Sequence, residues 1–388
     1  MFIASRFPYP PIRGDQVRAY HFLRLLNLRH DITLVTPISY PLGRRAQEAV
    51  ACLCKRWIPV PVSRREATWN LNRFVRSSLP LQVLYFCPPI LEKTVQKLVR
   101  EESFDLIHVQ LARMAPAVTG IDHIPKVLDF IDALSLNMRR RARLEHWPLR
   151  WIFQLEAERM SRYEQELVSS FDLQIISSPA DKEAIGAHES LYVVPNGVNI
   201  EDFPYNEDER DDKIIVFTGR MSYFPNAEAA VYFATRVFPI ILQEEPDARF
   251  LIIGAAPPRT VRRLARLPGI EVTGYVPRIQ DYLKRATVAV APMRAGTGIQ
   301  NKVLEAMASG TPVVATRYAL GGIEAVDGEH LLVAENAEGL AEQVVRLLKD
   351  PALRLRLARN ARQLVEEKYT WEQAVAMLEE VYRLAVEG

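Results

Sequence analysis

The chain has 388 residues, 48% of them hydrophobic and 25% charged, with 49 Lys and Arg against 47 Asp and Glu. A chain of this length buries about three-quarters of its unfolded surface, so it needs no metal or disulfide staple, and its composition excludes disorder, collagen-like repetition and a coiled coil. No apolar run approaches the ~20 residues that cross a bilayer, and the opening MFIASRFPYPP lacks the basic flank and apolar stretch of a secretory signal; the expectation is a soluble, cytoplasmic chain of two or three domains.

Short apolar runs alternate with longer amphipathic ones, the pattern of βαβ units and parallel sheets. In the first half, strands are expected at Phe2–Ser5, Ile32–Thr36, Trp57–Val60, Leu106–Val109, Lys126–Phe130, Leu173–Ser177 and Leu191–Val194. Helical spacing marks Gln16–Leu28, Pro89–Arg100 and Leu149–Ser169. Cys52 and Cys54, two residues apart, are read as lying on one strand face, and with Cys87 they make an odd count without metal-site spacing; reduced thiols are expected. Residues 1–198 carry 26 basic and 20 acidic side chains, a balance of +6, and the remainder 23 and 27, a balance of −4. That excess is too small for a nucleic-acid partner and suits an anionic substrate or membrane surface.

The chain turns at Pro195-Asn196-Gly197, and the acidic, turn-prone stretch Glu201–Asp212 reads as a linker. A second α/β series follows, with strands at Lys213–Thr218, Arg249–Ile253, Ile270–Thr273, Val288–Pro292, Pro312–Ala315 and His330–Val333. Helices are expected at Asn226–Gln243, with Asn226 as N-cap, and at Val303–Ala308, Ala337–Lys349, Pro351–Lys368 and Trp371–Val386. The expected architecture is two doubly wound Rossmann-like domains, 1–198 and 199–370, with a ligand cleft between the carboxyl ends of their sheets; the helix at about 371–388 is expected to pack back on the first domain.

The sharpest constellation is PMRAGTGIQNKVLEAMASGTPVVA, Pro292–Ala315. Glycines before a helix start let backbone N–H groups approach an anion, which the positive end of the helix dipole favours. Gln300 and Asn301 add neutral donors, and Lys302 and Glu305, three residues apart, share one helix face; one suits a phosphate and the other ribose hydroxyls. A surface Lys–Glu pair behind an ordinary glycine loop is the plain alternative. The second constellation, VFTGRMSYFPNAEAA, sets Arg220 after Gly219 at a strand end, where an arginine holds two phosphate oxygens at once. Two anion-suited loops in one domain favour a diphosphate.

Gly219-Arg220, GYVPRIQDYL, LEAMASGTPVVAT, the opening FPYPPIRGDQVRAYHFLRLL and VVPNGVN together resemble glycosyltransferase family 4. GIQNKVLEAMASG, FPYPP and PNAEA are similar to a bacterial subgroup associated with exopolysaccharide assembly. The resemblance implies the GT-B fold and transfer of a hexosyl unit from a nucleotide diphosphate sugar, a UDP- or GDP-sugar, to a glycan or lipid-linked acceptor with retention of configuration. No cofactor besides the donor is expected, and no metal, since same-face attack requires none and no credible Asp-x-Asp motif appears.

Carried onto this sequence, Arg220 contacts the donor diphosphate, with Lys302 supplying further positive charge where many members place a lysine nearer that arginine and this chain has Asn226. Glu305 matches the second of the family's paired glutamates; eight residues earlier, the first is replaced by Thr297. Gly296, Thr297, Gly298, Ile299 and Gln300 line the donor site, Tyr275 and Val276 flank the base, and Gly14 and Gly219 lie close to the donor. Gln110 occupies the position where the family often has a histidine, and His108 is read as either packed inside or functional. Arg18, Asp129 and Asp132 fall on the acceptor side; Asp132 binds or deprotonates an acceptor hydroxyl, and a helix N-cap by Asp132 or Ser135 is the alternative. Arg220, Lys302, Asp132 and Gln110 form the expected catalytic set.

No nucleophile stands out, so same-face attack is expected, with the acceptor proton passing to the departing phosphate. The segment Met138–Trp151 holds five arginines and two tryptophans, which suits either an anionic membrane surface on the inner face of the cell membrane or a solvated helix face. Two other readings stay open: a nucleotide-sugar epimerase of the same fold, and a nucleotide-sugar-binding protein that has lost catalysis. A NAD dehydrogenase is disfavoured because no G-x-G-x-x-G follows the first strand.

Overall fold

The structure, a computed structural model, describes residues 1–39, 42–63, 77–207, 210 and 213–388. It divides into two compact units: Met1–Pro195 together with Trp371–Gly388, and Asn196–Thr370. Each is α/β with a wholly parallel sheet, as the alternation of short apolar and longer amphipathic runs predicts.

The N-terminal unit holds β1 (Phe2–Ile3), β2 (Thr33–Ile38), β3 (Arg56–Pro61), β4 (Ile107–Gln110), β5 (Lys126–Ile131), β6 (Leu173–Ile176) and β7 (Leu191–Val193). Their order across the sheet is β3-β2-β1-β4-β5-β6-β7. The C-terminal unit holds β8 (Ile214–Thr218), β9 (Arg249–Ile253), β10 (Ile270–Gly274), β11 (Val288–Ala291), β12 (Val313–Ala315) and β13 (Leu332–Val333), ordered β10-β9-β8-β11-β12-β13. The strands are readable as apolar runs because a parallel sheet is covered on both faces; every residue of β4 and of β11 is buried.

In both sheets the winding reverses at one place, between β1 and β4 in the first and between β8 and β11 in the second. Loops leaving two such neighbouring strands run to opposite faces of the sheet and leave a crevice at the carboxyl ends, where ligands of open α/β sheets bind.

The terminal helix Trp371–Glu387 closes the N-terminal unit. Trp371, Ala374, Val375, Leu378, Val381 and Ala385 recur at three- and four-residue steps and are buried in one cluster with Phe22, Leu23 and Leu26. Trp371 stacks on His21 at 4.7 Å and meets Phe22 edge-on at 5.9 Å. Burial drives the His21 imidazole down to about 3, with the Arg24 charge adding to the effect, so this interface holds a neutral ring.

Several local expectations change. The helix expected at Asn226–Gln243 begins earlier, at Phe224, and is broken: Phe224–Tyr232 is α-helical, Phe233–Val237 is a π-turn and Phe238–Glu244 resumes the helix. Pro225 fits the first turn, where its missing N–H is no loss, so Asn226 lies inside the helix rather than capping it. Cys52 and Cys54 do not lie on a strand; Cys52 caps the helix Arg44–Ala51, and Cys54 is buried in the turn before β3.

Within the linker expected at Glu201–Asp212, residues 208, 209, 211 and 212 lie outside those described. The rest is anchored to the C-terminal unit. Phe203 joins its core, and the Arg210 guanidinium donates to the carbonyls of Asn206, Leu283, Lys284, Ala286, Ser309 and Gly310 and to Thr311 Oγ1. These carbonyls include those closing the helices Gln280–Arg285 and Asn301–Ala308, where a cation complements the helix dipole.

Candidate functional site

At the β8/β11 reversal the backbone itself shapes the floor. Gly219, just past β8, has φ +151°, and a Cβ there would lie 2.7 Å from Asn226 Nδ2. Gly254, past β9, has φ +148°, and its Cβ would fall 1.8 Å from the Gly219 carbonyl oxygen, so neither position admits a side chain without moving the chain. Arg220 follows, half-buried; its Nε donates to Ser222 Oγ at 2.9 Å, and it meets no carboxylate among the described residues.

The helix Asn301–Ala308 enters the same crevice from β11. Lys302 Nζ donates to Asn226 Oδ1 and Gln300 Oε1, both at 3.0 Å, and lies 5.6 Å from the centre of the Phe217 ring. Asn226 Nδ2 in turn donates to the Arg220 carbonyl at 3.0 Å, and Gln300 Nε2 to the Thr297 carbonyl at 3.1 Å. One chain of hydrogen bonds therefore links Thr297, Gln300, Lys302, Asn226 and Arg220. Every hydrogen-bond partner in it is neutral, and the carboxylate that acts on Lys302 is that of Glu305. Burial lowers Lys302 to about 8, with Glu305 opposing. Burial raises Glu305 to about 7, with Lys302 opposing. The carboxylate of Glu305 takes no hydrogen bond or ion pair from the described residues, which leaves an acceptor beside Lys302.

The loop before this helix is held open by glycine geometry. Gly296 has φ +108° and Gly298 φ +68°, and a Cβ on Gly321 would lie 1.9 Å from the Gly298 carbonyl oxygen. Thr297 and Ile299 are buried in it. Tyr275 and Val276 follow β10, two strands from the reversal; Tyr275 is 69% exposed and Val276 packs partly on the core.

In the N-terminal unit the expected residues separate. Gly14 opens the helix Gly14–Leu26, exposed and with open space where a Cβ would be. Arg18, on that helix, and Asp129, within β5, are fully buried and hold one another, Nε to Oδ2 at 2.7 Å; Arg18 Nη1 also donates to the Pro195 carbonyl at 3.3 Å. Neither side chain of this pair faces solvent. His108 is packed inside: it stacks on Phe2 at 4.2 Å, its Nδ1 meets Tyr382 Oη at 2.9 Å, and burial, with the Arg18 charge, drives it well below its usual range. Gln110 closes β4 and donates from Nε2 to the Asp15 carbonyl at 3.1 Å.

Asp132 lies just past β5, accepting from Ser177 Oγ at 3.3 Å. Burial and then the Asp181 charge push its carboxyl upward. The preceding Ile131 has φ +61°, and Asp132 N–H donates to the Phe130 carbonyl at 2.7 Å, a tight turn that is costly for a β-branched residue and redirects the chain at Asp132. Neither Asp132 nor Ser135 caps a helix; the helix Leu134–Leu144 starts after Ala133 without a side-chain cap. Ser135 N–H instead donates to Glu164 Oε1 at 3.2 Å.

Residues that sequence reasoning did not select stand at the β1/β4 reversal. Arg6 is three residues past β1 and Arg113 three past β4, and both reach Asp15. The shared three-residue offset beyond neighbouring strand ends was the available signal. Among the described residues, no three His, Cys, Asp or Glu side chains are grouped as metal ligands, and no helix is long and apolar enough to cross a membrane.

Residues 212–350 match the family described as glycosyl transferases group 1. The chain is 28% identical over 238 residues to an uncharacterized glycosyltransferase of Methanocaldococcus jannaschii, covering 55% of this chain and 57% of that one. It is 29% identical over 254 residues to a D-inositol 3-phosphate glycosyltransferase of Corynebacterium urealyticum, covering 57% and 58%. Over these stretches the chain is similar to glycosyltransferases. It spans a little over half the length of the curated relatives it matches. Its fold is GT-B: sucrose-phosphate synthase from Thermosynechococcus elongatus superposes with a TM-score of 0.74 at 18% identity, covering 99% of this chain and 98% of that one. The Anabaena protein HepE in complex with UDP and glucose superposes with a TM-score of 0.70 at 16% identity, covering 98% and 97%.

Proposed function

We propose that the chain is a glycosyltransferase that binds a nucleotide diphosphate sugar at the β8/β11 reversal and moves its hexosyl unit to a glycan or lipid-linked acceptor. The observation that carries this reading is the pair of cations, Arg220 and Lys302, hydrogen-bonded to no carboxylate among the described residues, with the Glu305 carboxylate beside Lys302. Two such charges suit the two phosphates of a diphosphate, and Glu305 suits hydroxyl donors such as those of a ribose. HepE is described in complex with UDP, and with UDP and glucose, which supports a UDP-sugar here.

In the proposed reaction the bond from the anomeric carbon to the diphosphate breaks as negative charge builds on the leaving phosphate. Arg220 and Lys302 face that charge, and fixed cations in a partly dehydrated crevice are worth far more there than in water. The acceptor oxygen attacks from the face the phosphate leaves, and its proton passes to that phosphate, so configuration is retained without a metal or a covalent intermediate. Asp132, with its raised carboxyl, is the group proposed to orient the acceptor hydroxyl.

A role in exopolysaccharide or cell-surface glycan synthesis belongs to the same proposal. A Klebsiella pneumoniae relative, 23% identical over 215 residues, is described by its place in the cps region. Contact of 138–151 with an anionic membrane is proposed on the exposure of Trp147 and Trp151, 81% and 67%, beside the arginines of the helix Leu134–Leu144.

Incubation with a panel of UDP- and GDP-sugars tests the reading. Nucleoside diphosphate released together with a glycosylated product supports it. An altered donor sugar makes the protein an epimerase, and thermal stabilisation without turnover makes it a binding protein; either result overturns the transferase reading.

A further inference from the structure

The N-terminal sheet reverses between β1 and β4, and the residues just past those two strands are cationic. Arg6 and Arg113 both reach the same carboxylate oxygen, Asp15 Oδ2, at 2.8 and 3.3 Å, and Ser5 Oγ donates to it at 3.2 Å. The two guanidinium groups also share one aromatic ring: their central carbons lie 5.2 and 4.0 Å from the centre of Phe86. Gln110 ties the Asp15 carbonyl to the end of β4, so the group is fixed to both strands of the reversal.

The charges here do not balance. Asp15 is the one carboxylate paired with Arg6 and Arg113 among the described residues, one negative charge against two positive ones. The Arg113 side chain is 9% exposed, yet its Nε finds no hydrogen-bond partner among the described residues. A buried guanidinium is costly unless its donors are satisfied, and two cations on a single carboxylate leave an excess that an incoming oxyanion would neutralise. Arginine in a fixed fork over an aromatic ring is suited to binding a phosphate or carboxylate through two oxygens.

We propose that Arg6 and Arg113 form an oxyanion site at the β1/β4 reversal, and that it takes a phosphate or carboxylate group carried by the acceptor. The assignment to the acceptor rests on the glycosyltransferase reading; the oxyanion site itself does not. It is separate from the Arg18–Asp129 pair, whose charges neutralise each other in the interior.

The test uses the full chain carrying Arg220→Ala and Lys302→Met, which removes the cations of the C-terminal unit. Inorganic phosphate, glycerol phosphate, acetate and glycerol are titrated calorimetrically. Saturable binding of at least one oxyanion, with none of glycerol, is expected, and adding Arg6→Gln should weaken it at least tenfold. Arg113→Lys, which keeps the charge but loses the fork, should weaken it several-fold with the thermal transition retained. Arg6 is the more exposed of the two, so its variant reads the site even where Arg113→Lys fails to fold. Absence of saturable oxyanion binding, or binding indifferent to Arg6→Gln, overturns the site. Phosphate and acetate distinguish the two oxyanion classes. In the otherwise unaltered chain, Arg6→Gln should raise KM for an anionic acceptor about tenfold and leave UDP affinity unchanged; a loss of UDP affinity instead overturns the acceptor assignment. If no donor is turned over, the transferase reading fails while the phosphate titration still reports on the oxyanion site.

Discussion

The β8/β11 and β1/β4 reversals are the same piece of topology with opposite electrostatic treatment. At β8/β11, Lys302 is held by the amide oxygens of Asn226 and Gln300 and Arg220 by a serine hydroxyl, so orientation is fixed without cancelling charge. At β1/β4, Arg6 and Arg113 are fixed by a carboxylate, which cancels part of theirs. Neutral hydrogen-bond partners leave the donors of Arg220 and Lys302 without a competing carboxylate acceptor, which suits a diphosphate at the first place and a smaller anionic group at the second. A few residues along the N-terminal sheet, Arg18 and Asp129 show the limit of the trend, with full burial and full cancellation.

The contrast can be broken or sharpened by substitution. The largest effect is expected from removing the uncancelled charge. Arg220→Ala or Lys302→Met should each lower kcat by about 10²–10³, the usual cost of losing one preorganised group facing transition-state charge, measured with a donor that the unaltered protein turns over. Asp129→Asn should leave Arg18 buried without its counter-charge and destabilise the N-terminal unit by about 3–5 kcal/mol in denaturant titration. A cost below about 1 kcal/mol would show that the pair is not a structural tie.

Asn226→Asp makes the β8/β11 reversal resemble the other one. It places a carboxylate against Lys302, so Lys302 should titrate higher and donor affinity should fall about tenfold. The converse, Asp15→Asn, should tighten phosphate binding several-fold.

The smallest effect is in pH dependence. Glu305 titrates near 7 in the folded chain against 4.5 unperturbed, so the folded state holds its proton more tightly and stability falls as pH rises from about 4.5 to about 7. Lys302 titrates near 8 against 10.5, so the unfolded state binds the extra proton and stability rises from about pH 8 to about 10.5. Donor affinity needs Glu305 ionised and Lys302 protonated, and should peak between about pH 7 and 8. Glu305→Gln should abolish the acidic limb alone.

Much of the frame was legible in the sequence because parallel strands, covered on both faces, spell apolar runs; Arg249–Ile253, Ala337–Lys349 and Pro351–Lys368 have the bounds their periodicity predicts. The glycine loops before Arg220 and Lys302 were also visible, as local departures from that periodicity. What escaped were contacts between residues far apart in the chain. Asn226 looked like a cap because its neighbours suit one, but Lys302, 76 residues on, decides what its side chain does. Arg18 looked like an anion contact beside Gly14, yet Asp129, 111 residues on, takes it into the interior. Arg6 and Arg113 meet only because β1 and β4 pair. The isolated Arg210, in an acidic stretch without periodicity, gave no sign that it would gather the carbonyls of two helix ends.

The central claim is that Arg220 and Lys302 grip a nucleoside diphosphate at the β8/β11 reversal. Calorimetric titration of UDP and GDP into the full chain and into the Arg220→Ala, Lys302→Met double variant tests it most directly. Saturable binding of at least one nucleotide, weakened about a hundredfold or more in the double variant, is the predicted result. No binding by the unaltered chain, or equal affinity in the variant, would contradict it.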